Sequence, residues 1–135
     1  MAFFLLKTEP STYSFDDLKR ERRAVWDGVR NPVALRHLGT MRKGDTVIIY
    51  HTGDQKQAVG LAVAASNPYA DPKLDDPKRL VVDLEAKQPL AKPVTLAQVK
   101  ADLVLQKNDL ARLPRLSVIP FSEAQFQRLL ELSGA

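Results

Sequence analysis

The chain contains no cysteine among its 135 residues. Disulfide bonds, iron–sulfur clusters, thiol catalysis and cysteine-ligated zinc are therefore excluded. Histidine is also scarce: His37 and His51 are the only two, and neither has a recognised metal-ligand spacing with carboxylates. We therefore expect no metal ion and no cofactor.

The sequence also lacks the motifs of the common enzyme classes. Its six glycines are dispersed, so it has no glycine-rich loop to cradle a phosphate. A hydrolase could use Ser117, His51 and Asp27, but Ser117 lies in a predicted strand without the Gly-x-Ser-x-Gly turn that presents a nucleophile. A two-carboxylate glycosidase stays open, because such pairs form in space, but nothing favours it. We expect a protein that is not an enzyme.

No hydrophobic run in the sequence is long enough to cross a membrane. Residues 1–6 are apolar, but Lys7 and Glu9 follow at once and no basic region precedes them. A signal peptide needs a basic region and a longer apolar one, and a membrane-spanning helix needs about 20 apolar residues. We therefore expect a cytoplasmic protein with no membrane partner.

The composition is that of one globular domain over residues 1–135, with 44% hydrophobic and 27% charged residues. The net charge is +4, and most of it lies in the first half. Residues 1–60 hold 10 Lys and Arg against 7 Asp and Glu, whereas residues 61–135 hold 10 against 9. This bias suits a polyanion as partner, although a solvated helix face would give the same pattern.

The spacing of apolar residues predicts an α+β protein. Strands are expected at residues 2–7, 23–26, 46–51, 58–65, 80–86 and 115–119, and helices at 14–20, 31–38, 95–103 and from 122 to near 134. We expect Pro89 and Pro93 to end the strand at 80–86, and Pro120 to end the last strand. Five or six strands and at least four helices, without βαβ regularity, predict a curved or barrel-like mixed sheet with flanking helices.

The most informative stretch is the bend from Val25 to Asn31. Trp26 is the only tryptophan, and Asp27-Gly28 after it is a strong turn signal. Asn31 before a proline predicts a helix start, because Asn caps and Pro fits the first helical position. An aromatic ring, a carboxylate, a guanidinium and an amide within six residues could hold a planar polar ligand. The alternative is that Trp26 is a core residue anchoring a loop.

Polar residues cluster at four predicted strand ends and turns. They are Lys7–Thr8 after the first strand, Trp26–Asn31 in the bend, Tyr50–Thr52 at the end of the central strand, and Arg115–Ser117 at the start of the last. Binding sites form in loops at the ends of rigid sheets. We therefore expect these four segments to meet in one site.

The same segments carry a resemblance to a known family. The matching motifs are Leu5-Leu6-Lys7-Thr8-Glu9-Pro10, Tyr13-Ser14-Phe15-Asp16-Asp17-Leu18, Val25-Trp26-Asp27-Gly28-Val29-Arg30-Asn31, Met41-Arg42-Lys43-Gly44-Asp45, Tyr50-His51-Thr52, Val59-Gly60 and Arg115-Leu116-Ser117-Val118-Ile119-Pro120. In this order and over nearly the whole chain, they resemble the EVE domain of the PUA-like superfamily, as found in the thymocyte nuclear protein family and its bacterial relatives.

The resemblance implies both a fold and a function. The fold would be a PUA-like curved, partly closed mixed β-barrel of five or six strands with flanking helices. The function would be that of a non-catalytic reader of modified nucleobases, in particular modified cytosine in DNA, which flips the base into an aromatic pocket related to that of YTH domains. We separately expect the protein to be a monomer. An RNA-binding PUA-like module and a small-molecule sensor for free nucleosides remain open.

The resemblance also implies a base-binding pocket. Its residues would be Lys7, Thr8, Trp26, Asp27, Val29, Arg30, Asn31, Tyr50, His51, Thr52, Leu116 and Ser117. Trp26 would form a wall that stacks on the base. Asn31, Thr52 and Ser117 would offer hydrogen bonds to it.

Three of these twelve residues, Lys7, Arg30 and His51, would lie at or near the rim of this pocket. The sequence departs from the family pattern in two places. Residues 32–35 read Pro-Val-Ala-Leu where the family often has Tyr-Gln-Ala-Arg, and Thr52 replaces a common serine but keeps the hydroxyl group.

Overall fold

A computed structural model describes residues 1–134 of the chain. The strands are β1 (Phe3–Thr8), β2 (Arg23–Trp26), β3 (Thr46–His51), β4 (Gln57–Ala64), β5 (Tyr69–Ala70), β6 (Leu80–Thr95) and β7 (Val118–Phe121). The helices are α1 (Phe15–Glu21), α2 (Pro32–Gly39), α3 (Leu96–Ala101), α4 (Asp109–Arg112) and α5 (Glu123–Leu132), with one 3₁₀ turn at Leu105–Lys107. The mixed α+β character that the sequence predicts is therefore present.

The strands form one mixed sheet in the order β2-β6-β4-β3-β1-β7, and the short β5 pairs with β6. β1 and β3 are parallel, whereas every other pair is antiparallel. Two details of the expected barrel are wrong. The described residues contain seven strands rather than five or six, and β2 and β7 do not pair, so the sheet stays open instead of closing.

Three of the helices begin with a capping box, which the sequence carries as Ser14 with Asp17, Thr95 with Gln98 and Ser122 with Gln125. Ser14, Thr95 and Ser122 each accept a hydrogen bond from the backbone N–H three residues later, and the side chain of that later residue bonds back to the cap. Each such cap contributes on the order of 1 kcal/mol, because it satisfies N–H groups that have no partner inside the helix. These caps fix the residues at which α1, α3 and α5 begin.

The centre of the core lies on β1 and β3. Leu5, Leu6, Ile48 and Ile49 are completely buried, so both strands are covered on both faces. Helix α1 covers one face through Phe15, whose ring packs directly onto the backbone of Gly60 in β4. A Cβ atom at Gly60 would lie 2.5 Å from the Phe15 ring, so only glycine fits there.

Prolines end fewer strands than the sequence predicts. β6 continues through Pro89 and Pro93, although its pairing with β4 shifts register between Pro89 and Val94. A proline at an irregularity removes no ladder hydrogen bond, which explains the wrong prediction. Similarly, β7 begins at Val118 rather than residue 115 and contains Pro120, because it is an edge strand with β1 as its partner on one side.

The segment of residues 67–78 is irregular apart from the two residues of β5. Helix α3 ends at Ala101 rather than near residue 103. No helix in residues 1–134 combines the length and the apolar character needed to cross a membrane.

Candidate functional site

Three of the four predicted polar segments meet at one edge of the sheet. Because β1 and β3 run in parallel, their carboxyl ends lie side by side, with Lys7 opposite Tyr50 and Thr8 opposite His51. The backbone N–H of Lys7 also donates a hydrogen bond to the carbonyl of Ser117, 3.0 Å away, just before β7 begins. The topology therefore explains why these segments are neighbours.

A cavity of about 630 Å³ lies between this edge and β2. It is lined by Lys7, Thr8, Thr12, Tyr13, Glu21, Arg23, Ala24, Val25, Trp26, Asp27 and Gly28. β1 and β2 are separated by three strands in the order of the sheet, so they can share a cavity only because the sheet curves. The volume falls within the range of ordinary ligand pockets.

Trp26 forms both a wall of this cavity and part of the core. It is the last residue of β2, pairs with Val82 of β6, and is only 8% exposed. Tyr13 meets it edge to face, with ring centroids 6.1 Å apart and an interplanar angle of 82°. Such a pair contributes about 0.5–1.5 kcal/mol beyond its buried area. The two interpretations of Trp26 are therefore compatible, because the residue is buried in the core and also lines the cavity.

Three hydrogen bonds hold Tyr13 in this position, and one of them runs from its backbone N–H to the carbonyl of Glu9 at 2.9 Å. Its hydroxyl group donates to the carboxylate of Glu21, and its carbonyl accepts from the hydroxyl of Thr8 at 2.6 Å. Burial, and then the bond to Glu21, raise the pKa of Tyr13 well above its usual value. Tyr13 therefore stays neutral, and its ring stands nearly perpendicular to that of Trp26.

The cavity is lined by charges of both signs. Glu21 and Asp27 supply carboxylates, and Arg23 and Lys7 supply cations. Lys7 is partly committed, because its ammonium group donates to the carbonyl of Pro114 at 2.9 Å and lies 5.6 Å from the centroid of the Tyr50 ring. Partial burial lowers its pKa. A polar ligand would thus meet both hydrogen-bond acceptors and donors around an aromatic wall.

The bend after Trp26 directs Asn31 away from this cavity. Gly28 has φ +80°, the left-handed conformation that glycine accepts, and the chain turns there. The side-chain oxygen of Asn31 caps α2 by accepting from the N–H groups of Val33 and Ala34 at 2.9 and 3.0 Å. Asn31 lines a second, smaller cleft of about 330 Å³ together with Leu116.

The other predicted site residues support the walls rather than line the Trp26 cavity. His51 is buried, and its Nε2 accepts a hydrogen bond from the backbone N–H of Phe15 at 3.0 Å. The N–H of Thr52 donates to the carbonyl of Thr8 at 2.9 Å. These contacts hold α1 and the end of β1, and therefore set the shape of the cavity.

The remaining members of the predicted pocket lie outside the lining. Val29 and Tyr50 are buried, Arg30 is exposed, and Ser117 is half-buried. Four of the twelve predicted residues, namely Lys7, Thr8, Trp26 and Asp27, line the cavity itself.

Several lining residues were not predicted from the sequence. They are Thr12, Tyr13, Glu21, Arg23, Ala24, Val25 and Gly28. Tyr13 carried a usable signal, because it belongs to the second of the motifs that resemble the EVE domain. Nothing in the spacing indicates that Glu21, at the end of α1, reaches the same cavity.

Residues 1–134 contain no group of three or more His, Asp or Glu side chains placed to hold a metal ion.

The fold and the cavity define a class of small α+β proteins in which a curved, open sheet holds an aromatic cavity at one edge. Within that class the chain belongs to the EVE domain family, whose model matches residues 2–132.

Individual relatives cover nearly all of the chain. Thymocyte nuclear protein 1 of Mus musculus is 30% identical over 96% of this chain and 73% of its own length. The structure of Rpa0253 from Rhodopseudomonas palustris has a TM-score of 0.94 at 37% identity, covering 99% of this chain and 94% of that one.

Two structures of complexes are also similar. Human THYN1 in complex with 5-methylcytosine-containing DNA has a TM-score of 0.91 at 25% identity, covering all of this chain and 99% of the other. The YTH domain of Zygosaccharomyces rouxii MRB1, in complex with N6-methyladenosine RNA, has a TM-score of 0.60 at 15% identity, covering 98% of this chain and 86% of the other. The second likeness shows a shared fold alone.

Proposed function

We propose that the Trp26 cavity binds one modified nucleobase, a modified cytosine flipped out of DNA, and that the protein reads this base without chemical reaction. The observation that carries the proposal is the aromatic corner made by Trp26 and Tyr13, which opens onto carboxylate and cationic side chains. Planar, polar ligands need this combination of a stacking surface and edge contacts. The complex of the human relative with 5-methylcytosine-containing DNA supports the choice of base and polymer.

The energetics are consistent with a reader of moderate affinity. Flipping a base out of a duplex costs a few kcal/mol. Stacking on an aromatic side chain returns about 1–3 kcal/mol per base. A methyl group in an apolar slot is worth roughly 1–3 kcal/mol, so discrimination of about 10- to 200-fold is the range to expect.

The carboxylates of the cavity favour a base that carries an amino group. Cytosine offers its N4 amino group as a donor, and Asp or Glu side chains accept hydrogen bonds from it. Asp27 is exposed at the cavity, whereas Glu21 already accepts from Tyr13. Asp27 is therefore the acceptor that we assign to the base.

The single tryptophan gives a direct test. Its fluorescence would be titrated with short DNA duplexes and single strands that differ in one cytosine, which is unmodified, 5-methylated or 5-hydroxymethylated. Matched strands with N6-methyladenine, and RNA strands of the same sequence, complete the series, each at two salt concentrations. Stronger quenching by one modified cytosine in DNA is the expected result.

Other outcomes would replace the proposal. Preferential quenching by RNA would make the protein an RNA-binding module. Tight, salt-insensitive quenching by a free nucleoside would indicate a small-molecule sensor. If no strand and no nucleoside quenched Trp26 in the folded protein, the cavity would not be a base-binding site.

A further inference from the structure

A third concave surface lies beside the Trp26 cavity, between the end of α1 and β6. It is a groove of about 420 Å³, lined by Lys19, Arg22, Arg23, Glu85, Ala86 and Lys87. Its four cationic side chains all belong to exposed residues. The groove contains one carboxylate, so its lining carries an excess of positive charge.

The acidic residues nearby neutralise this charge only in part. Lys87 and Glu85 form an ion pair at 3.7 Å, and Arg23 and Asp83 form one at 3.4 Å. Exposed pairs at these distances hold their partners weakly. Within residues 1–134, neither Lys19 nor Arg22 belongs to an ion pair. The groove therefore keeps free cations for an anionic partner.

A backbone hydrogen bond joins the two sides of the groove. Arg22 ends α1 with φ 67°, a left-handed conformation that is uncommon for a residue with a side chain. Its carbonyl accepts a hydrogen bond from the N–H of Ala86 in β6 at 2.9 Å. This contact ties the end of α1 to β6, so that cations from both elements line the same groove.

Arg23 connects the groove with the cavity, because it lines both. A base in the cavity remains attached to its nucleic-acid strand, and the backbone of that strand must cross the rim of the cavity. The cationic residues of the groove begin at Arg23, on the rim of the cavity. Phosphate contacts of this kind position a nucleic acid without reading its sequence.

We infer that the groove of Lys19, Arg22, Arg23 and Lys87 binds the phosphates next to the flipped nucleotide. This inference rests on the proposed function, because it assigns the path of the strand whose base occupies the Trp26 cavity. It also specifies a direction. The backbone of the nucleic acid runs from the cavity along the end of α1 towards β6, and not over the cleft beside Asn31.

Two charge-matched triple variants test the path. The groove variant is Lys19→Gln, Arg22→Gln and Lys87→Gln, with Arg23 left intact because it also lines the cavity. The control is Lys92→Gln, Lys100→Gln and Lys107→Gln, three exposed lysines that line neither the groove nor the cavity. Both lose three positive charges, so a difference between them reports position rather than net charge. Thermal unfolding checks that both remain folded.

The measurement is the salt dependence of binding to single strands with and without 5-methylcytosine. The logarithm of the association constant falls linearly with the logarithm of the salt concentration. Each lost phosphate contact should make this slope less steep by about 0.7, and three lost contacts by about 2. We expect this reduction in the groove variant and an unchanged slope in the control. The ratio of affinities for the modified and unmodified strands should stay the same in both.

The outcomes separate the two proposals. Equal slopes for the groove variant, the control and the unchanged protein would overturn the path and leave base reading intact. A reduced slope in the groove variant, in a protein that never prefers a modified strand, would overturn base reading and keep the groove as a phosphate-binding surface. Failure of the unchanged protein to bind any strand would overturn both.

Discussion

The indole ring of Trp26 and the phenol ring of Tyr13 meet edge to face at a centroid distance of 6.1 Å. One ring comes from the end of β2, and the other from the residue before the N-cap of α1. Tyr13 is itself fixed by Thr8 at the end of β1 and by Glu21 at the end of α1. The aromatic corner of the cavity therefore depends on three elements at once.

Changing Trp26 should reduce both binding and stability, because the ring belongs to the cavity and to the core. Trp26→Ala is expected to abolish base-dependent binding and to lower the free energy of unfolding by about 3–5 kcal/mol. Trp26→Phe keeps an aromatic wall, so we expect it to weaken binding with a smaller loss of stability. Electrophoretic mobility shifts measure binding without the fluorophore, and thermal unfolding runs beside them. Full binding by Trp26→Ala would contradict a role in the cavity.

Asp27 should determine the preference for bases that carry an amino group. Asp27→Asn replaces a carboxylate that only accepts by an amide that also donates. We expect the preference for cytosine over thymine at the flipped position to fall by about 1–3 kcal/mol, without a change in melting temperature. Asp54→Asn, in the exposed turn before β4, is the matched control. An unaltered preference in Asp27→Asn would remove Asp27 from the contact with the base.

The three tyrosines should ionise late in the native protein. Burial raises the pKa of Tyr13 and Tyr50, assisted by Glu21 in the case of Tyr13, and the hydrogen bond to Asp83 raises the pKa of Tyr69 to about 12. Unfolded tyrosines ionise near pH 10. The unfolded state therefore loses these protons first, and the tyrosine contribution to stability should fall as the pH rises above about 10.

Tyrosinate absorbance measures this difference directly. The native protein should show little ionisation at pH 10, whereas the protein in concentrated denaturant should titrate normally. Glu21→Gln removes the charge next to Tyr13 and should lower the pKa of one tyrosine only. Native and denatured titration curves that coincide would contradict the burial of Tyr13 and its bond to Glu21.

The sequence predicted those parts of the site that depend on local chemistry. The caps at Ser14 and Asn31 and the turn at Gly28 follow from short-range preferences, and each is present. The meeting of Lys7–Thr8 with Tyr50–Thr52 was also predictable in outline, since polar strand ends suggested one site. The parallel pairing of β1 and β3 supplies its physical cause.

Long-range geometry accounts for what the sequence did not predict. The cap at Asn31 was predicted, but its position was not: Asn31 lines the smaller cleft with Leu116 and not the Trp26 cavity. His51 was expected at the rim, but it accepts from the N–H of Phe15 inside the core. Glu21 enters the cavity only because the curved sheet brings α1 close to β1 and β2. The type of a residue does not reveal which of its hydrogen-bonding groups already have partners within the folded protein.

The packing of Phe15 on Gly60 provides a test of how α1 shapes the cavity. Gly60→Ala would place a Cβ atom 2.5 Å from the Phe15 ring, and we expect this overpacking to cost about 1–3 kcal/mol in the free energy of unfolding. Because Tyr13 lies just before α1, displacement of the helix should also weaken base binding. Urea unfolding and the fluorescence titration measure the two effects separately.

Two further variants test whether the contact between Phe15 and residue 60 causes the loss of stability. Phe15→Leu combined with Gly60→Ala should recover part of the lost stability, because the smaller side chain leaves room for the new methyl group; the coupling is read from a double-mutant cycle. Gly39→Ala is the control, since its Cβ would meet only the end of the Leu80 side chain at 3.3 Å. Additive effects of Phe15→Leu and Gly60→Ala would show that contact between these two residues does not hold α1. In that case the hydrogen bond from the Phe15 N–H to His51, together with the bonds of Tyr13 to Thr8 and Glu21, would hold Tyr13 in position.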